Sequence, residues 1–200
     1  MHFLSIGDVM VDVSVKISSP ISYGGDTAAE ISNQGGGAAA NVATWLVADK
    51  QEVFLVARVG NDQPGDFLLR ELSARGVRHS GRKLRNEHTG TVVVIIDDKK
   101  ERTMFPDNGA NADLESSDLP PLEGIDGVFV SGYSLLDFRS RDAVIKMINK
   151  IREAKIPVFL DPTTTGAMKV VPKSQILEWV GMVDGVLLNN EEARYLGESD

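Results

Sequence analysis

Short, unbroken apolar runs recur along this chain, and each is followed by a stretch with helical spacing. "FLSIG" (3–7), "VFLVARVG" (53–60), "DGVFVSG" (126–132), "IPVFLDP" (156–162) and "DGVLLNN" (184–190) read as strands. Helical patterns cover 38–50, 62–76, 140–154 and 173–181, and a further helix opens at "EEARYLG". Successive side chains of a strand point to opposite faces of its sheet, so a strand apolar at every position is buried on both faces. With helices between the strands, this predicts an α/β fold: a Rossmann-like, three-layer parallel sheet flanked by helices. Within the helices, Val144, Ile148 and Ile151 make one stripe of 140–154, and Ala39, Val42, Trp45 and Leu46 make an expected apolar face of 38–50. The 62–76 helix has acid near its start and Gly76 just past its end.

Residues 9–33 and 89–105 break the alternation. "VMVDVSVKI" (9–17) alternates apolar with polar residues from Val11 onward; a turn-rich stretch and a short returning strand, "AAEIS" (28–32), follow it. "TGTVVVIID" (89–97) and "ERTMF" (101–105) flank "DKK" as a hairpin. Strands with one wet face suit a small second sheet attached to the main one.

Composition and charge disfavour several function classes. A net charge of −8 and a pI near 4.9 argue against a nucleic-acid partner, because phosphate backbones demand basic patches. The absence of cysteine excludes disulfides, thiolate metal sites and a Cys nucleophile, and fits a reducing cytoplasm. No membrane association is expected: the N-terminus carries Asp8 and Asp12 without a basic n-region, and the longest wholly apolar run is "VVVII" (92–96). His2, His79 and His88 have no metal-ligand spacing.

The barest stretch is "NQGGGAAANVA" (33–43). From Gly35 it matches G-x-G-x-x-A, a loose dinucleotide fingerprint, but that fingerprint sits straight after the first strand. Here residues 8–34 intervene, so the dinucleotide reading fails on context.

"GGGAAANVATWLV", followed by "VFLVARVGNDQPGDFLLRELSARGV", resembles the first signature of the ribokinase-like (PfkB) carbohydrate kinases. "GDVMVD", "TGTVVVIID", "ERTMFPDNGANADL", "VSGYSLL" and "NNEEA" occur in the family's order, so the resemblance covers essentially all 200 residues. It implies an ATP-dependent kinase that transfers the γ-phosphoryl to a hydroxyl of a sugar or sugar acid, with ATP and Mg²⁺ as cofactors. It also implies that segments 9–33 and 89–105 form a β-sheet lid over the substrate, through which a homodimer would form. The family's G-A-G-D box, with its catalytic Asp and anion hole, would lie beyond Asp200, and no earlier G-x-G-D replaces it. The chain would then be the N-terminal two-thirds of a kinase, inactive by itself. Two alternatives stand beside this: a truncated, non-catalytic sugar-binding protein, and a nucleoside kinase, which the 6% aromatic content disfavours.

The resemblance assigns substrate binding to Asp12, Gly36, Gly37, Asn41, Gly109, Asn111 and Tyr133, and the nucleotide and phosphate region to Asp161, Asn189 and Glu192. Most of these assignments have a plainer reading. Asp12 is either a carboxylate accepting two sugar hydroxyls or, like Asp8, a solvated strand-face acid. Gly36 and Gly37 let a sugar approach a helix N-terminus or serve helix–sheet packing, and Asn41 projects into that pocket or caps the helix. Ala38 stands where the family usually has a different small or basic residue. Tyr133 stacks on a sugar ring or belongs to the core, and Arg102 contacts substrate or is a surface charge. Asn189 and Glu192, spaced N-x-x-E, approach Mg²⁺ through water, or they are a helix N-terminus favoured by its dipole.

Overall fold

The structure, a computed structural model, describes residues 1–80 and 82–197, so the catalytic base expected beyond Asp200 lies outside the described residues. The chain begins with β1 (His2–Ile6), β2 (Met10–Ile17), β3 (Ala29–Gly36), α1 (Ala38–Ala48), β4 (Glu52–Val56) and β5 (Val59–Gly60). It continues through α2 (Gln63–Ala74), β6 (Arg78–His79), β7 (Lys83–Leu84), β8 (Thr91–Ile96) and β9 (Arg102–Asp107). Two 3₁₀ turns, Gly109–Asp113 and Ser116–Asp118, lead to β10 (Gly127–Ser131), α3 (Tyr133–Leu136) and α4 (Arg141–Glu153). The last elements are β11 (Val158–Asp161), α5 (Thr165–Met168), α6 (Lys173–Val180), β12 (Gly185–Val186) and α7 (Asn190–Gly197).

The main sheet is parallel, in the order β12-β11-β10-β1-β4-β6. Alternate residues of its strands enter different cores, as doubly apolar strands require. Leu4, Ile6, Val128 and Val130 pack with Met147, Ile148 and Ile151 of α4 and Trp179 of α6. Val53, Leu55 and Phe129 pack on the other face with Ala39, Ala43, Leu68 and Leu72 of α1 and α2. Each fully buried Leu, Ile or Val contributes roughly 1.5–3 kcal/mol. The second sheet has the order β3-β2-β8-β9, with the hairpin strands β8 and β9 as expected.

Local readings differ from the structure at four places. Trp45 is 76% exposed, and the buried stripe of α1 is Ala39, Ala40 and Ala43. The helix lies too close to the sheet for larger side chains, since the Ser5 hydroxyl donates to the Ala39 carbonyl at 2.7 Å. The strand expected over 53–60 breaks before Arg58, whose buried guanidinium donates to Asp118 (2.7 Å) and pairs with Glu115 (3.1 Å). A buried charge survives only when paired in this way. The returning strand is longer than expected, so Gly35 and Gly36 end an edge strand. Of 184–190, only Gly185 and Val186 pair as strand.

The V-G-x-D-x-x-G stretch acquires a physical meaning here. Asp62 caps α2, accepting from the Gly65 amide at 2.9 Å, and it also accepts from the Thr89 amide (2.8 Å) and hydroxyl. Thr89 precedes β8, so one carboxylate fastens the second sheet to the helix. Burial alone would raise the Asp62 carboxyl, but the Thr89 and Gly65 hydrogen bonds outweigh it and hold it below the ordinary value of 3.8. Its stabilisation is therefore present above that value and is lost as pH falls through the lower, folded one. Asp62→Ala is expected to cost about 2–3 kcal/mol in urea unfolding at pH 7. The gap to the wild type should shrink on acidification; a gap that does not change with pH would contradict the carboxylate's role.

Candidate functional site

Topology locates the site first. From β1 the main sheet grows to one side through β4 and β6, and later to the other through β10, β11 and β12. The direction of winding thus switches between β1 and β10. Ligands of open α/β sheets bind outside the carboxyl ends of the strands at such a point. Gly7 and Asp8 leave β1 there, facing Ser131, Gly132 and Tyr133 at the end of β10.

Gly7 has φ +144°, and a side chain on it would come within 2.6 Å of the Ser131 Cβ. Asp8 then turns inward. It is 7% exposed and accepts from the Ser131 hydroxyl and the Ala38 amide, both at 2.6 Å. The solvated reading of Asp8 is thus corrected: the chain leaves β1 into the crevice, not onto a wet strand face.

Asp12 stands on β2 opposite Gln34 of β3. It is half-buried over Gly36, so a Cβ at Gly36 would overlap its carboxylate. Burial pushes the Asp12 carboxyl above its ordinary 3.8; a Gln34 hydrogen bond works against this, and the charge of Asp8 adds to it. Gly37, at φ +98°, caps α1 with its Cα so close to Asp8 that a Cβ would lie 2.6 Å from the Asp8 carbonyl oxygen. Asn41, in the first turns of α1, is exposed and lines a shallow cleft with Gly35, Gly36, Thr44 and Glu71.

On the other side of the crevice, Gly109 takes φ +48° in its 3₁₀ turn. Asn111 is buried, and its amide is bound to Val9, donating to the carbonyl (2.8 Å) and accepting from the N–H (3.0 Å). It closes the β1–β2 connection as a neighbouring strand would. Asn111 and Tyr133 line one small crevice with Gly7, Asp8, Asn108 and Asp137. Tyr133 begins α3 and is half-buried; burial raises its phenol, a Thr164 hydrogen bond opposes this, and the charges of Asp8, Asp161 and Glu192 add to it.

The strand ends beyond β10 carry the remaining residues. Asp161 accepts from the Thr163 amide at 2.8 Å. Thr163 holds φ +80°, a costly conformation for a β-branched residue, with its buried hydroxyl unpartnered. Nothing in the sequence signals that strain. Asn189 and Glu192 form a reciprocal capping box on α7: Asn189 accepts from the Glu192 amide, and Glu192 accepts from the Asn189 backbone amide, each at 2.9 Å. The Asn189 side-chain amide donates to the second carboxylate oxygen. As direct ligands of Mg²⁺ this pair does not fit, because its polar atoms already face each other. Among the described residues no group of three His, Cys, Asp or Glu could hold a metal ion.

The structure therefore brings Asp12, Gly36 and Gly37 together with Asn111 and Tyr133 around the switch point, and adds Asp8, which the sequence reading took as solvated. Arg102 is apart from them, exposed and paired in register with Ile96 toward the tip of the second sheet. Among the described residues no helix is long and apolar enough to cross a membrane.

The family model for pfkB family carbohydrate kinases matches residues 2–200. The chain is 34% identical over 124 residues to the bifunctional protein HldE of Helicobacter pylori, covering 57% of this chain and 27% of that protein. To the fructokinase of Klebsiella pneumoniae it is 28% identical over 171 residues, covering 82% of this chain and 56% of the enzyme. It spans about half or less of the length of these curated relatives. Its fold matches that of fructokinase from Vibrio cholerae O395, solved with fructose, ADP and calcium ion bound. The TM-score is 0.76 at 24% identity, over 98% of this chain and 62% of that one. The chain belongs to the pfkB family of carbohydrate kinases.

Proposed function

We propose that the protein is part of an ATP-dependent kinase that phosphorylates a hydroxyl of a sugar or sugar acid. The observation that carries this reading is the bare Gly36–Gly37 backbone beneath the Asp12 carboxylate, at the switch point and beside the second sheet. A carboxylate accepts from two vicinal hydroxyls, and a backbone without side chains lets a sugar ring lie against it. Asn41 adds an amide, Tyr133 an apolar face, and Gly109 and Asn111 hold the opposite wall. Asp161, Asn189 and Glu192 would border the ATP phosphates. The second sheet serves as a lid that excludes water, which would otherwise compete as phosphoryl acceptor. A general base outside the described residues would take the proton of the substrate hydroxyl as its oxygen bonds to the γ-phosphorus and ADP leaves. A divalent ion would neutralise phosphate charge, held through water and the phosphates rather than by Asn189 and Glu192 directly.

The lid also suggests a second copy of the chain as partner. Val13, Val15, Val93 and Ile95 share its rear face with Ile31 and Phe105, which are 67% and 55% exposed.

Calorimetric titration with a hexose, a hexonic acid and a nucleoside, beside an ADP-release assay, tests the reading. Saturable binding of the hexose or hexonate is expected, with ADP release once the residues following Asp200 are present. Nucleoside binding alone would point to a nucleoside kinase. Sugar binding without ADP release in the longer protein would point to a sugar-binding protein. Sedimentation of the same sample should show a dimer that Phe105→Asp dissociates.

A further inference from the structure

Asp8 joins the segments from which the proposed site is built. Its side chain accepts from Ala38, the first residue of α1, and from Ser131, the last of β10. Its carbonyl accepts from the Ala40 amide at 3.2 Å. Gly37 gives α1 no side-chain cap, so a residue far upstream supplies it. A carboxylate is well suited there, because helix N-termini carry free N–H groups and partial positive charge. On the β10 side the connection continues: Ser131 carbonyl accepts from the Ser134 hydroxyl (2.6 Å), and Ser134 carbonyl from the Ser140 hydroxyl (2.8 Å). Tyr133 lies within that chain of bonds.

We propose that Asp8 is a positioning residue for substrate binding, fixing the Gly36–Gly37 backbone against the end of β10 so that the cradle and Tyr133 keep one spacing. Both carboxylate oxygens are occupied and the group is buried, so Asp8 does not accept the substrate's proton. It acts through the glycine backbone and Ser131. The proposal rests on the reading of Gly36, Gly37 and Tyr133 as substrate contacts.

The test compares Asp8→Asn, Asp8→Ala and Ser131→Ala with the wild type by amide hydrogen exchange and by hexose and hexonate titration. Asn keeps an acceptor for Ala38 and a partner for Ser131. The Ala38 amide should stay protected in Asp8→Asn and exchange at least tenfold faster in Asp8→Ala. Ser131→Ala, which leaves the Ala38 bond in place, should still weaken sugar binding about tenfold, and Asp8→Asn should recover most of the affinity lost in Asp8→Ala. Equal Ala38 protection in all variants would overturn the proposal, as would unchanged affinity in a folded Ser131→Ala. If Asp8→Ala does not fold, Ser131→Ala decides. If the wild type binds neither sugar, the substrate reading fails, while Ala38 exchange still shows whether Asp8 holds the loop.

Discussion

Gly37→Val is expected to destabilise the chain by about 3–5 kcal/mol, read as a fall in urea midpoint at an unchanged slope. Two independent costs combine. At φ +98° a branched side chain is in a region that L-residues avoid, because the Cβ crowds its own carbonyl. The same Cβ would lie 2.6 Å from the Asp8 carbonyl oxygen and 2.9 Å from the Val9 Cα, and this is backbone that cannot swing away. Relief would require moving the β1–β2 connection, which Asn111 holds at both Val9 polar groups. Gly36→Ala provides the contrast. Its φ is ordinary and its obstacle is the Asp12 carboxylate, a side chain that can rotate. Stability should change little there, while sugar affinity falls because Asp12 is displaced. If both substitutions cost the same stability and the same affinity, Gly37 is not specially constrained and the cradle reading loses its geometry.

The parallel sheet was legible because each buried strand repeats one statement: apolar residues on both faces, then a helix. The second sheet was legible for the opposite reason, since Asp12, Ser14 and Lys16 alternate with valines along a single strand. Long-range partners were what local pattern could not show. Asp8 and Asp12 look alike in sequence, yet Asp8 is buried because Gly7 lets β1 and β10 end close together. Arg58 reads as part of a strand until Asp118, sixty residues away, is seen to neutralise it. Trp45 fits a helical stripe by spacing, but the closeness of α1 to the sheet selects alanines. Asn189 and Glu192 form a reciprocal cap on α7, a local role that agrees with the plainer, helix-terminus reading of the N-x-x-E spacing.

Asp12→Ala should weaken sugar binding about a thousandfold, since two hydrogen bonds to a charged acceptor contribute roughly 1.5–3 kcal/mol each. The pH dependence separates this from simple loss of packing. Burial, opposed by Gln34 and reinforced by the charge of Asp8, sets the Asp12 carboxyl above 3.8. Only the ionised form accepts from two hydroxyls, so wild-type affinity should fall as pH drops through that raised value, with a midpoint above 3.8. Asp12→Asn should bind weakly with no such midpoint. For folding the sign is reversed. A carboxyl whose folded pKa is raised favours the folded state fully below its unfolded value, and that contribution disappears as pH rises through the folded one. At neutral pH the ionised Asp12 therefore works against folding, and Asp12→Asn should be at least as stable as the wild type while binding far less sugar. A side chain that lowers stability where it improves binding is behaving as a site residue, not a solvated strand acid. Unchanged stability of Asp12→Asn at pH 7, with sugar affinity also unaffected, would return Asp12 to the solvated reading and remove the carboxylate from the proposed mechanism.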